Sequence, residues 1–355
     1  MAKDRIVMLC TGLPGTDKKE YLSEATALAK LNNKDIKIYS VGDMLLEIAR
    51  EDDPIFLQEN VLNMPPATLE RLVRSVYNEI EKDIVNYEYS AILTHAIFYW
   101  KDVLSDSGNA RFLEKIKPDI YVSIVRAANE IRQNLHENRQ WKSQGLSEDK
   151  ILLWQNVETL VTEKYWAGMQ KTRDEKRPRF LVLPRNLPAE DMLKLFMYPE
   201  VEFVYNAFPM TQLKNPDKSY KKIDEFQKGL REYFGVIDPK AMDLSLAASE
   251  IANNQTVHRD LDNFVGLTTK TICYFPEYVH STGAITEITR ANDLSRDVFY
   301  VIGEAVGKKL EMEGGVKKMS PFPAYNSKKC FWSEEEFFRY LEEAEGCIKL
   351  KLKRE

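Results

Sequence analysis

The residues from Arg259 to Ala291, RDLDNFVGLTTKTICYFPEYVHSTGAITEITRA, combine acids, a hydroxyl and a glycine in a spacing that suits glycosidic chemistry. An acidic segment, Arg259-Asp260-Leu261-Asp262, precedes an apolar, β-branched patch, Thr271-Ile272-Cys273-Tyr274-Phe275, which reads as a buried strand. Pro276 ends that strand, and after a polar loop Ser281-Thr282-Gly283 leads into a helix with Glu287 in its first turn. A Ser and a Gly ahead of a helix offer backbone N–H groups and a hydroxyl to an anion or a sugar phosphate. Glu287 then stands at the carboxyl edge of a sheet, where open α/β folds bind ligands. With Asp260 as its partner, one acid can attack or stabilise an oxocarbenium-like sugar carbon while the other positions a hydroxyl or moves protons. The competing reading is structural: an acid near a helix N-terminus favours the dipole, and a loop acid is commonly solvated.

A second constellation lies near the N-terminus. Arg5 to Cys10 is an apolar strand, Thr11 to Lys19 is a loop, and a helix follows to about Lys30. Strand, glycine-containing loop and helix are the context of a phosphate-binding loop, G-x-x-x-x-G-K-[ST]. Gly12 and Lys18 fit that pattern, but Asp17 replaces the last Gly and Lys19 replaces the Ser/Thr. Both changes are adverse. The Gly lets the backbone approach phosphate closely, often with positive φ, whereas Asp17 adds a Cβ and a negative charge. The hydroxyl normally holds Mg²⁺, and a protonated lysine has no lone pair to offer a metal.

On the pattern RDL, apolar strand, Pro, S-x-G-x-x-x-E, the C-terminal half resembles the nucleoside 2-deoxyribosyltransferases and the related nucleoside 5'-monophosphate N-glycosidases. That resemblance implies Glu287 as nucleophile or its equivalent, Asp260 facing the ribose, and Ser281 with Gly283 holding a sugar hydroxyl or 5'-phosphate. It also implies a ligand loop from Tyr205 to Thr211, and no cofactor for the glycosidic step. The family's Trp after RDL is replaced by Asn263, followed by Phe264. The N-terminal half, through G-L-P-G-x-x-K, VGDML, LTHA and KPDIYVSIV, is similar to archaeal-type adenylate kinases over roughly residues 5–185. Those enzymes carry a metal-serving Asp where this chain has Leu93, and their lid arginines are represented here by Arg126 and Arg132, with Asn134 and Leu135 following. Phosphoryl transfer depends mainly on metal positioning and electrostatics, so altering Asp17, Lys19 and Leu93 together predicts a domain that has lost catalysis. Gly12, Gly15 and Lys18 remain candidates to hold a nucleotide, with a pure scaffold as the alternative. His95, Tyr99 and Trp100 are either base-stacking groups or core.

These residues need elements to position them. In the first half, Ile36–Ser40, Ser90–Ala96, Asp119–Val125 and Phe180–Leu183 read as further strands, and Pro65–Ile84 and Ser147–Met169 as helices. The proline-bounded stretch Pro184–Pro199 is the best boundary, dividing the chain into domains 1–198 and 199–355. The second half repeats the alternation: strand Val201–Ala207, helix Tyr220–Phe234, helix Asp243–Asn253, strand Val298–Ile302, and helix Glu334–Glu345 with Ser333 and Glu336 as a capping box. The alternating tail Lys349–Arg354 reads as an edge strand. The expected class is α/β, two doubly wound parallel-sheet domains.

Composition narrows the rest. With 44% hydrophobic and 30% charged residues and a formal net charge of −5, the chain offers no electrostatic case for nucleic acid. Its four cysteines lack CxxC spacing and its four histidines lack zinc-ligand spacing, so no metal site is expected. No apolar run approaches a membrane span and no signal-peptide core is evident, which predicts a cytoplasmic protein. The expected partner is a nucleoside or nucleotide, and a homo-oligomer is compatible with the resemblance. The leading function is N-glycosidic hydrolysis or deoxyribosyl transfer. A nucleotide-sensing module without turnover and a residual nucleoside monophosphate kinase are the alternatives.

Overall fold

The computed structural model describes residues 5–353 apart from 171–176, 211–212, 243–249, 278, 280, 305 and 307–324, and the side chains of 52 and 250–253 likewise lie outside the description. The described chain forms two compact units, residues 1–199 with 241–255 and 353–355, and residues 200–240 with 256–352.

The first unit is built on strands that are apolar along their whole length, as strands covered on both faces must be. In order, its elements are β1 (Ile6–Thr11), α1 (Lys18–Leu31), β2 (Ile36–Ser40), α2 (Val41–Asp52), α3 (Pro66–Asp83), β3 (Tyr89–Leu93), β4 (Ile97–Trp100) and β5 (Val103–Asp106). There follow α4 (Ala110–Ile116), β6 (Ile120–Val125), α5 (Ala128–Glu137), α6 (Arg139–Lys142), α7 (Glu148–Gln170), β7 (Arg179–Pro184) and α8 (Ala189–Met197). Five strands pair in parallel in the order β2-β3-β1-β6-β7. Every residue of β1 and β6 is buried, which puts the loop after β1 at the centre of the sheet's carboxyl edge.

The third strand is shorter than the sequence suggests. It ends at Leu93, and residues 97–106 instead form the antiparallel hairpin β4-β5. Its turn residues Lys101 and Asp102 both have positive φ, 52° and 61°, the conformation of a two-residue hairpin turn usually written with Asn and Gly.

In the second unit the elements are β8 (Phe203–Ala207), α9 (Pro216–Leu230) and β9 (Gly235–Ile237); α10 (Glu250–His258), counted with the first unit up to Gln255, then runs on into a π-helix over Arg259–Val265. β10 (Lys270–Phe275), α11 (Thr282–Asp293), β11 (Asp297–Ile302), β12 (Lys329–Phe331) and α12 (Glu334–Glu343) complete it. These five strands are also parallel, in the order β12-β11-β10-β8-β9. The order reverses between β8 and β10, and the crevice at such a reversal is where doubly wound sheets hold ligands. One face of the sheet is sealed by Phe226, Leu230, Tyr274, Phe299, Phe337 and Leu341, with the Phe226 and Tyr274 rings stacked at 4.2 Å. α12 has the forward half of its capping box, Ser333 Oγ accepting from the Glu336 N–H at 3.1 Å, while the Glu336 carboxylate accepts from the N–H of Trp332, one residue ahead of the N-cap. The tail forms no strand. Residues 346–353 pair with no ladder, and Leu350 donates one backbone bond to the Glu232 carbonyl. Helix α9 begins at Pro216 rather than Tyr220, since Pro at the first helical position is already set at the helical φ. Of the helix expected over 243–253, residues 243–249 lie outside the described residues.

Candidate functional site

Alternation along the strands decides which side chains face α11. Val204, Ile272 and Tyr274 point into the aromatic core, so Tyr205, Thr271 and Cys273 point to the opposite face. Tyr205 is fully buried there, and its hydroxyl donates to Glu287 Oε1 at 2.7 Å. Glu287 lies in the second turn of α11 rather than the first. The reason is that Ser281 caps the helix, its Oγ accepting from the Ala284 N–H at 3.3 Å, so the helix starts at Thr282. The Ser281 hydroxyl is thereby engaged in the cap. Gly283 stands one turn ahead of Glu287 on the same helical face, exposed, and nothing lies within 4 Å of where a Cβ would be.

Asp260 enters from the first turn of the π-helix. Its Oδ1 accepts from Arg259 at 3.0 and 3.2 Å, and the buried Arg259 guanidinium lies over the Phe264 ring. Asp262 ties this segment to α11: it accepts from Arg290 at 2.6 Å and pairs with His258 at 2.5 Å. The two acids therefore share one electrostatic neighbourhood. Burial pushes the Glu287 carboxyl up to about 8, the Tyr205 hydroxyl pulls it down, and the charge on Asp260 pushes it up again. Burial also raises Asp260, against the lowering effect of Arg259. Tyr205 is held well above its usual value by burial and by both carboxylates, so it stays a phenol and a donor. Of the residues proposed for this site, Thr211 lies outside the described residues. Tyr205 proves to be an inward strand residue that orients Glu287, a pairing visible only once the strand and helix are placed.

The loop after β1 in the first unit is built differently. Gly12 has φ 151°, and a Cβ there would meet the Ile124 carbonyl oxygen at 2.8 Å; Gly15 has φ 80°. Asp17 adopts the left-handed conformation, φ 55° and ψ 35°, at the position where the phosphate-loop pattern has glycine. Its carboxylate pairs with Arg126 and accepts from Asn134 Nδ2 at 3.1 and 3.2 Å. Lys18 Nζ donates to the Gly12 carbonyl at 2.9 Å, and His95 Nδ1 donates to the same oxygen at 2.7 Å. Burial and the neighbouring Lys18 charge hold His95 well below its usual value, so it is the neutral, Nδ1-protonated imidazole. Lys19 pairs with Asp43 at 2.6 Å. Asp17, Lys18, Lys19, His95, Thr94 and Phe98 line a cavity of about 280 Å³.

One residue of this region escapes a reading of the sequence. Glu158, in the middle of α7, is fully buried. Its Oε1 accepts from the N–H groups of Gly12 at 2.9 Å and Ala96 at 2.8 Å, and Oε2 from Ile97 at 2.8 Å. Burial pushes this carboxyl up, while those donors and Lys18 pull it down. It joins the loop to the start of the β4-β5 hairpin. The available signal was a polar stripe, Gln155, Glu158, Thr159 and Thr162, along the buried face of that helix. Tyr99 and Trp100 pack with Trp141 and Trp154 in the hairpin's own core, Trp100 edge-on to Trp141 at 5.3 Å. Among the described residues no group of three His, Cys, Asp or Glu side chains is placed to hold a metal ion. No described helix is long and apolar enough to cross a membrane.

A protein-family profile described as an AAA domain matches residues 11–151. No curated protein matches the chain. One solved structure to which it is similar is "Structure of the Pnkp1/Rnl/Hen1 RNA repair complex", at 10% identity, over 85% of this chain and 97% of that one, with a TM-score of 0.30. The fold is two parallel-sheet α/β units, the first of them phosphate-loop, kinase-like and of the kind that binds nucleotides.

Proposed function

We propose that the second unit breaks the N-glycosidic bond of a nucleoside or nucleotide, as a hydrolase or a deoxyribosyltransferase. The observation that carries this reading is the junction of Tyr205, Glu287 and Asp260 on the sheet face beside the β8/β10 reversal, with Tyr205 bonded to Glu287 and Asp260 raising it. Glu287, in the ionised form that grows as pH rises toward about 8, attacks the anomeric carbon as the bond to the base breaks, and the departing base takes up a proton from solvent. Water or a second base then displaces the carboxylate. Tyr205 orients the nucleophile. Asp260, steadied by Arg259, takes a sugar hydroxyl, and Ser281 and Gly283 flank the sugar or its phosphate. No metal or cofactor takes part in this scheme.

The first unit is read as a kinase-like domain without phosphoryl transfer, in which Gly12, Gly15 and Lys18 are the groups a nucleotide would meet and a pure scaffold is the alternative. A second reading, in which both units sense a nucleotide and neither turns it over, is favoured by Asp17 and by Leu93, a buried apolar side chain where a metal ligand would stand. The deciding experiment incubates the full chain with nucleosides, nucleotides and NAD and follows free base by chromatography. Base release that disappears in Glu287→Ala supports the glycosidase. ADP formation that disappears in Lys18→Ala, with no base released, replaces it with a kinase, and thermal stabilisation by nucleotide without product supports the sensor.

A further inference from the structure

The loop of the first unit has the shape of an anion cradle, yet its cations are already engaged within the chain. Lys18 turns back to the Gly12 carbonyl at 2.9 Å, and Lys19 pairs with Asp43 at 2.6 Å. Arg126, at the carboxyl end of β6, is clamped between Asp17 and Glu130, the latter at 2.5 Å, while its backbone N–H donates to Gln155. Arg185, just past β7, donates to the Asp17 backbone carbonyl at 3.1 Å and pairs with Glu24 at 2.7 Å. Two of these contacts converge on one residue. Asp17 holds a left-handed backbone that a side chain rarely adopts, and its two carboxylate oxygens receive an arginine and the Asn134 amide. A planar anion accepting from a guanidinium and an amide at the mouth of a glycine loop is the geometry of a bound phosphate oxygen pair.

We infer that the phosphate subsite of this loop is occupied by the chain's own Asp17 carboxylate, so that Asp17 decides whether the unit accepts a phosphate chain. In the native protein Arg126 and Asn134 close on Asp17, and a polyphosphate arriving at Lys18 meets a carboxylate where it would place an oxygen. Removing that carboxylate frees Arg126 and opens the left-handed position to a residue that adopts it without strain. The inference rests on reading the first unit as a phosphate-loop fold and is independent of the chemistry assigned to Glu287.

The test is calorimetric titration of the full chain with inorganic pyrophosphate, and separately with ATP, each with and without Mg²⁺. Asp17→Gly is expected to bind pyrophosphate about tenfold or more tightly than the native chain, the size expected when a charge-assisted pair becomes available. Asp17→Asn, which keeps the bulk and tolerates the left-handed backbone, should gain less. Arg126→Ala added to Asp17→Gly should erase most of the gain. Equal affinity of native chain and Asp17→Gly, or a gain that survives loss of Arg126, overturns the inference and leaves the loop reading standing. Absence of binding in both Asp17 variants, each folded by circular dichroism, overturns the inference together with the phosphate-loop reading.

Discussion

Replacing Glu287 with glutamine should stabilise the second unit, and increasingly so as the pH rises. In the folded protein the Glu287 carboxyl is pushed up to about 8 from an ordinary value of 4.5. Between those values the native state keeps a proton that the unfolded chain has lost. Stability is therefore fully present below the lower value, falls as pH rises, and levels off above the upper one. Each pH unit corresponds to about 1.4 kcal/mol, which sets a ceiling of roughly 5 kcal/mol across the window. Glu287 is half-buried, so solvent relieves part of that cost and roughly 2–4 kcal/mol is expected. Glutamine retains an acceptor for the Tyr205 hydroxyl and has no proton to lose. The assay is urea unfolding of native chain and Glu287→Gln at pH 5.5, 7 and 8.5. Glu158 titrates in both proteins and cancels, so the difference between the curves reads Glu287 together with its coupling to Asp260. A difference that stays flat from pH 5.5 to 8.5 would mean that Glu287 is ionised throughout, and the electrostatic coupling to Asp260 would have to be abandoned.

Tyr205→Phe removes the donor that favours the ionised carboxylate, so the Glu287 value moves further up. Base release should then need a higher pH, with kcat/KM at pH 7 down by about tenfold and the midpoint of its pH profile displaced to alkaline values; an unmoved midpoint would reduce Tyr205 to a packing role. Glu158→Ala strands the N–H groups of Gly12, Ala96 and Ile97 and should destabilise the first unit by about 2–4 kcal/mol, measured by chemical unfolding. A loss under about 0.5 kcal/mol would show that water replaces the carboxylate.

Much of the architecture is legible in the sequence because parallel sheets covered on both faces need uninterrupted apolar strands, and IVMLCT, IYVSIV and DVFYVI are of that kind. The hairpin after β3 is not legible, since its turn uses Lys101 and Asp102 where a glycine would have announced it, and IFYW reads equally well as core. Asp260 and Glu287 stand out by residue type and motif. Their governing contacts do not: Tyr205 meets Glu287 across 82 residues, Asp17 meets Arg126 across 109, and Glu158 meets Gly12 across 146. Such pairs become visible only when strand order and pleat direction are known. Asp17 is the intermediate case, since the sequence marks the residue as foreign to the loop but not where its charge goes.

The π-helix from Arg259 to Val265 makes the catalytic proposal intolerant of length changes. An α-helix advances about 100° per residue, and a wider coil holds its surplus residue through specific contacts, here Arg259 over the Phe264 ring within the coil and Asp262, at its middle, on Arg290. Excising a single position between Leu261 and Val265 would relax the coil to ordinary pitch and swing Asp260 about a quarter-turn from Glu287. Divergent descendants of this chain that keep the chemistry must then keep the surplus residue too, whatever else they change around it.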